Sequence, residues 1–410
     1  MMARGAHAHA RQAQATQPQS HLSDAEREDL EGRIAVSNYH NKNVLLALIF
    51  PIMIVAKLMV LFILPDKYFF DNNRILNMVN GTAGDDAWWS GSYAVATNMF
   101  IKLNVLDFTT MAQWTIMLGM MFSVLVFAMI LRANSPDLLQ TLFILATVGL
   151  LNIYVFNIGK DIIQFAFFFA VYVILVLPIE NSVIKVVGSA MVLYFESTFY
   201  REYYILIAAL VLGVYAILLF FRSRRQLGLA SLGWIIVLMF GMIYAMMIVA
   251  KAIMPDEYNQ IIGLRAGYSA AFGEDNGGNM NTAIHNWIPG GGLPIFMVNY
   301  VVNLIRMMLP FELAIRGASY LPFFAFQLMV TAYMVNLLRK INQVEDSSLF
   351  IAICVFLGYV LASALFEPDF GSWTRHESAT FPVLLLLILN PLQRVPITKE
   401  ERMLAGTLKE

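Results

Sequence analysis

Charge is what this chain has least of. Asp, Glu, Lys and Arg make up 13% of its 410 residues, roughly half their share in soluble domains. They nearly cancel, to a formal net charge of −1, so no global field argues for a nucleic-acid partner. Cysteine is almost missing: Cys354 alone, within an apolar run, excludes a disulfide framework and a thiolate metal site. No internal repeat is evident, which weighs against the many transporters built from repeats. Asp85-Asp86 lacks a metal-ligand spacing, and no stretch reads as a soluble nucleotide-binding domain, so neither metal nor cofactor is expected. What fills the chain is hydrophobic, 59% of it. Runs of about 20 apolar residues recur from position 44 onward, the length at which a helix crosses a bilayer.

The expected fold is therefore all-α: a polytopic membrane protein of about ten transmembrane helices. They are placed near 44–64, 112–132, 138–157, 161–178, 182–198, 203–221, 230–252, 318–338, 348–366 and 378–392. Residues 1–43 form a cytoplasmic tail with an Ala/Gln/His-rich disordered start, then a short helix opened by the capping box Ser23-x-x-Glu26. No cleavable signal peptide precedes the first span, which reads as an uncleaved anchor. Residues 44–392 make one membrane domain and 393–410 a second cytoplasmic tail. Arg132, Lys185, Arg222/Arg224/Arg225 and Arg339/Lys340 fall on one side, and the excess of basic residues in short cytoplasmic loops puts both termini inside.

Two large external loops follow, 65–111 and 254–317, without evident secondary structure apart from one apolar stretch at 296–309. That stretch is short for a span, and Asn299, Asn303 and Arg306 recur on one helical face. Such a stripe marks a helix lying at an interface or lining a groove, with Asn299 and Asn303 open to water-borne reagents.

On the external side basic residues sit where they are normally scarce: Lys160, Arg201, Lys251, Arg265, Arg306, Arg316 and Arg375. Boundary Lys and Arg often only snorkel to headgroups, which suffices for Lys251 and Lys57. Arg201 and Arg375 are set among aromatic and acidic neighbours, in Phe199-Tyr200-Arg201-Glu202-Tyr203-Tyr204 and Trp373-Thr374-Arg375-His376-Glu377. A guanidinium there suits phosphate, because its planar fork matches phosphate oxygens, and at a membrane surface the phosphate is a lipid's. Lys160 opens a helix, where a cation opposes the dipole, whereas Asp161 reads as a cap. Candidate bases for a hydroxyl are Asp369, His376 and Glu202, with Asp85, Asp86, Glu367, Glu377 and His285 behind them. Asp369 also suits a turn, and Glu202 and Glu377 suit pairs with their arginines. Among many belt aromatics, Trp88, Trp373 and Tyr204 are candidates to meet sugar rings.

The Lys-Asp helix start after the third span resembles bacterial exopolysaccharide, capsule and O-antigen polymerases. So do the Arg-Glu-Tyr-Tyr segment before the sixth span and the acidic loop ending in Arg375-His376. The first loop, with Lys67-Tyr-Phe-Phe-Asp71 and Arg74, is similar to members from Gram-positive bacteria. Arg306 and Gly317 fit an Arg-x10-Gly pattern of some polymerases. The resemblance implies a GT-C-like glycosyltransferase that polymerises repeat units carried on undecaprenyl diphosphate, at the outer face of a bacterial plasma membrane. By the same resemblance Lys160, Arg201 and Arg375 map onto the family's basic positions and would hold the diphosphate, with a flippase and a chain-length regulator as partners; Arg306 and Arg265, as external basic residues, are further candidates to contact it. An O-antigen ligase shares the layout, but the Gly spacing expected after His285-Asn286 is absent. Two rival readings stand beside these: a transferase using a lipid-phosphate sugar, with Asp85 or Asp86 as base, and a flippase that does no chemistry.

Overall fold

The computed structural model describes residues 23–83, 91–223, 229–272, 282–396 and 398–404. The described residues are helical, with no strand beyond one isolated bridge between Ala283 and Asp369.

The chain opens with α1 (Asp24–Phe62), a single helix of 39 residues, about 58 Å at 1.5 Å per residue. Ser23 and Glu26 form the expected capping box. The tail helix and first span, expected as separate pieces, are continuous because nothing between them breaks a helix. Pro51 lies inside the helix without ending it. Next come α2 (Phe70–Val79) and α3 (Gly91–Leu103), both within the stretch expected to lack structure.

α4 (Met111–Arg132) and α5 (Leu138–Leu150) start at capping boxes of Thr110 with Gln113 and of Asp137 with Gln140. A π turn over Leu151–Val155 extends α5. α6 (Asp161–Val176), α7 (Ser182–Phe199), α8 (Tyr204–Arg222) and α9 (Leu229–Ile253) follow. The second large loop also holds helices: α10 (Pro255–Phe272), α11 (Leu293–Met308) and α12 (Phe311–Arg316). α13 (Leu321–Arg339), α14 (Ser347–Phe366), α15 (Phe370–Ala379), α16 (Phe381–Ile388) and α17 (Lys399–Leu404) complete the chain.

Among the described residues, eight helices are long and apolar enough to cross a membrane: α1, α4, α5 with its π turn, α7, α8, α9, α13 with its preceding turn, and α14. The protein is thus a multi-pass membrane protein. α14 is apolar all round and buried along almost its whole length, as a helix must be at the centre of a bundle. It packs on α8, α7, α16, α6 and α11.

The two other expected spans differ. α6 has 16 residues, about 24 Å against about 30 Å of hydrocarbon, so it is too short to cross unaided. The stretch expected to span 378–392 is the α15–α16 pair, interrupted at Thr380 and closed by a short turn at Pro391–Gln393. One end of the bundle is tied by Lys42, whose Nζ donates to the carbonyls of Leu131 (2.9 Å) and Ala133 (2.7 Å). Asn134 Nδ2 reaches the Leu389 carbonyl there as well (3.2 Å). The start of α6 lies at the opposite end.

Candidate functional site

Separate stretches of the chain meet at that opposite end. α2 contributes Asp71, α3 Tyr93, the start of α6 Lys160 and Asp161, the α7–α8 turn Arg201, and α15 Arg375 and His376.

Their placement starts with Lys57. The π turn ends α5 with carbonyls that have no helical partner. The Lys57 ammonium crosses from α1 to reach Asn152 O at 2.6 Å, Phe156 O at 2.7 Å and Asn157 Oδ1 at 3.1 Å. Lys57 therefore does not snorkel to a surface: it is buried and holds the segment leading to Lys160. α2 docks on the same segment, with Asn72 Nδ2 donating to Ile158 O at 2.8 Å. Gly159 makes room for this, since a Cβ there would lie 2.6 Å from Asn72 Nδ2. That docking sets the neighbouring Asp71 beside Lys160. On the other flank, Asp369 caps α15, accepting from Ser372 N (2.9 Å) and Oγ (2.7 Å). Gln164 Nε2 donates to the His376 carbonyl at 2.9 Å and fastens α15 to α6.

Asp161 is the hub. Its Oδ2 lies 2.8 Å from Arg375 Nε, and its Oδ1 lies 3.1 Å from His376 Nε2 and 3.8 Å from Arg201 Nη2. The cap expected of Asp161 is absent: the residue before α6 is Lys160, which offers no side-chain cap, and the carboxylate faces three cationic groups instead. His376 Nδ1 lies 2.6 Å from Glu367 Oε1. Carboxylates close to both ring nitrogens favour the charged imidazolium over the neutral ring.

A second carboxylate, Asp71, is the more exposed of the two, at 21% of its side chain against 9% for Asp161. Its Oδ2 is 3.3 Å from Lys160 Nζ and 3.5 Å from Arg375 Nη2, and the Tyr93 hydroxyl donates to its Oδ1. Lys160 Nζ also lies 3.7 Å above the Tyr93 ring. Burial alone would raise the Asp71 carboxyl, but Lys160 and Arg375 outweigh it and hold the group below the usual carboxylate range. Burial pushes the Lys160 ammonium down to about 8 against the pull of Asp71. Access is graded: 20% of the Arg375 side chain is exposed, 12% of Lys160 and 9% of Arg201. Arg201 is further enclosed by the Tyr200 and Tyr203 rings, and donates to Tyr203 Oη at 2.9 Å.

Lys160, Arg201, Arg375 and His376 are thus brought together. Other expected site residues are not. Arg306 is not open to a phosphate: its side chain is 8% exposed and pairs with Glu312. The stripe it shares with Asn299 and Asn303 faces inward, and all three are buried, so the accessibility expected of both asparagines does not hold. Trp373 and Tyr204 cannot meet a sugar ring. Trp373 is buried and stacked on Tyr359, and Tyr204 lies in the same core. Glu202 is exposed, and the ion pair expected between it and Arg201 is replaced by the one from Arg201 to Asp161. Glu377 is buried against Gln327 rather than paired with Arg375. Asp369 is an N-cap on α15. Trp88, Asp85 and Asp86 lie outside the described residues, as does the Arg265 side chain.

Residue type alone does not single out Asp71 or Tyr93, and it makes Asp161 a cap. Only the run Lys67-Tyr-Phe-Phe-Asp71 carries a signal for the first of them. Among the described residues no group of His, Cys, Asp and Glu is arranged to hold a metal ion. Neither a family model, nor a curated protein, nor a solved structure matches the chain.

Proposed function

We propose that the chain is a membrane glycosyltransferase that joins oligosaccharide units carried on undecaprenyl diphosphate, working at the outer face of a bacterial plasma membrane. The observation that carries this reading is the convergence of Lys160, Arg201 and Arg375 at the start of α6, around Asp71 and Asp161. Charges close to hydrocarbon are costly and mark function, and a cationic cluster at the end of a bundle of membrane-crossing helices suits an anion whose tail stays in the bilayer.

In this reading the carrier's diphosphate binds at Arg375 and Lys160, displacing Asp71. Asp71 loses the cations that depress it and becomes a competent base. The acceptor hydroxyl gives its proton to Asp71 while its oxygen forms a bond to the anomeric carbon. The bond from that carbon to the phosphate oxygen breaks, and the electron pair leaves with the diphosphate. Arg375 and the imidazolium of His376 are already oriented by Asp161 and Glu367, so they stabilise the departing charge without reorganisation, and Lys160, released from Asp71, adds its charge to theirs. Arg201 acts from behind, through Asp161. A flippase has less support, because Lys57 is committed to carbonyls and Lys185 to Leu175 O and Ser348 Oγ, both at 2.8 Å. Among the described residues that leaves no basic track along the spans.

The test is reconstitution in liposomes with undecaprenyl-diphosphate-linked oligosaccharide. Glycan lengthening with matching release of undecaprenyl diphosphate is expected; transfer of the lipid between leaflets without lengthening would establish the transporter reading instead. Orientation is checked separately. Reporters fused at Glu180 and Gln343 should both signal cytoplasm, and an external signal from either reverses the assignment of the site to the outer face.

Lys160 also gives the site a pH dependence. Its ammonium ordinarily stays charged well past pH 9, but here it is pushed down to about 8. Positive charge is present below that value and lost above it. Inorganic pyrophosphate should therefore bind more weakly as pH rises through about 8, and Lys160→Arg, which stays charged, should flatten the titration. An equally steep titration in Lys160→Arg would assign the dependence to another group.

A further inference from the structure

The loop ahead of α11 carries Trp287, 64% exposed, on a backbone held by three side chains of α11. Ile288 is gripped twice by Asn299, whose Oδ1 accepts from Ile288 N at 3.0 Å while its Nδ2 donates to Ile288 O at 2.8 Å. Asn303 Nδ2 donates to Asn286 Oδ1 at 2.8 Å, and Arg306 Nη1 donates to His285 O at 2.6 Å. The buried polar stripe of α11 is thus committed to residues 285–288. Arg306 does one thing more: its guanidinium lies 4.6 Å from the Trp287 ring centroid, which fixes the indole from one face and leaves the other turned outward.

The same loop is stitched to the site. Ala283 bridges Asp369, Ile284 N donates to Pro368 O at 2.9 Å, and Phe370 N donates to Thr282 O at 2.9 Å. The strand pairing ends where α15 begins, the helix that presents Arg375 and His376. Four residues of loop, the bridge itself and under two turns of helix then separate Trp287 from Arg375, a reach of roughly 28 Å at most. An oligosaccharide attached to a phosphate held at Arg375 extends over such a distance.

From this arrangement we infer that Trp287 is the saccharide platform of the protein: its outward indole face stacks on a pyranose ring of the glycan whose phosphate end sits at Arg375. A bilayer anchor needs an aromatic ring at the right depth but not a rigid one, since belt residues work while mobile. A stacking platform needs both exposure and a fixed plane, and the three side chains of α11 supply the second. This inference rests on the glycosyltransferase reading for its ligand and replaces Trp373 and Tyr204 as glycan contacts.

The test uses the full chain in nanodiscs and two kinds of probe. Neutral oligosaccharides without lipid or phosphate (cellopentaose, xylopentaose and a β-1,3-linked glucopentaose) report on the platform, and inorganic pyrophosphate reports on the cationic cluster. At least one saccharide should bind the wild type and quench or shift the fluorescence that distinguishes it from Trp287→Phe. Trp287→Ala should lose about 10-fold in affinity for it, Trp287→Phe should lose less, and both should bind pyrophosphate as the wild type does. Binding of none of the saccharides, or equal binding by wild type and Trp287→Ala, overturns the platform. So does quenching of Trp287 by brominated lipids, which would make it a bilayer anchor. Loss of pyrophosphate binding is read from Arg375→Ala, so a failure of the phosphate site appears in a different variant and with a different probe.

Discussion

Asp161→Asn is expected to destabilise the protein more than any other single change at the site. The carboxylate lies within 4 Å of Arg375, His376 and Arg201, and only 9% of its side chain is exposed. Removing one partner of a buried ion pair leaves the other charges uncompensated, at a cost of about 3–5 kcal/mol. Asn keeps an oxygen acceptor but turns an amide N–H2 toward a cation, so it does not restore the balance. Thermal unfolding of the purified protein in detergent should show an apparent midpoint lower by roughly 5–10 °C. Asp161→Glu keeps the charge and should recover part of the loss. Midpoints for Asp161→Asn within about a degree of wild type would mean that the three cations do not depend on this carboxylate, and its role as the hub would have to be abandoned.

The contrast between Asp161 and Asp71 shows why only part of the site was legible in the sequence. The long spans were readable because burial in lipid demands an unbroken apolar run. α4, α7, α8, α9 and α14 begin and end within a residue or two of the expected bounds. Arg201 and Arg375 were readable because a cation at a span end is rare enough to carry information. An aspartate at a helix start is common, and local pattern cannot say whether its carboxylate turns back to the backbone, as Asp369 does, or away to other helices, as Asp161 does. The α11 stripe poses the same problem: its period was visible, but whether Asn299, Asn303 and Arg306 faced water or a loop depended on residues 285–288, joined to it only by the fold. Aromatics were the least legible. Trp373, in Gly371-Ser372-Trp373-Thr374-Arg375, and Trp287, in His285-Asn286-Trp287-Ile288-Pro289, both stand beside polar and turn-forming residues, so only packing separates the core ring from the surface one.

Arg375→Lys should abolish most activity while leaving the fold intact, and this is the most direct test of the phosphate site. Arg375 is placed to serve two groups at once. Its Nε lies 2.8 Å from Asp161 and its Nη2 3.5 Å from Asp71, so the hub fixes one edge of the guanidinium and the other faces Asp71, the carboxylate the diphosphate would displace. Lysine carries one compact donor group and can satisfy the hub or a phosphate, but not both in the same geometry. A charge-assisted hydrogen bond contributes about 1.5–3 kcal/mol, so losing the outward contact should cost about 10- to 100-fold in transfer rate. The loss should be larger if the contact strengthens as the diphosphate departs. Arg375→Ala should do at least as much harm, and Arg201→Lys less, since Arg201 is walled in by Tyr200 and Tyr203 and reaches substrate only through Asp161. Lys251→Ala, at an exposed position beside the Tyr258 ring, should be silent. The readouts are polymer length and released undecaprenyl diphosphate, at protein levels matched by quantitative blotting. If Arg375→Lys and Arg375→Ala both lengthen glycan at the wild-type rate, the diphosphate does not bind at this cluster, and the role assigned to Asp71 as the base it uncovers falls with it.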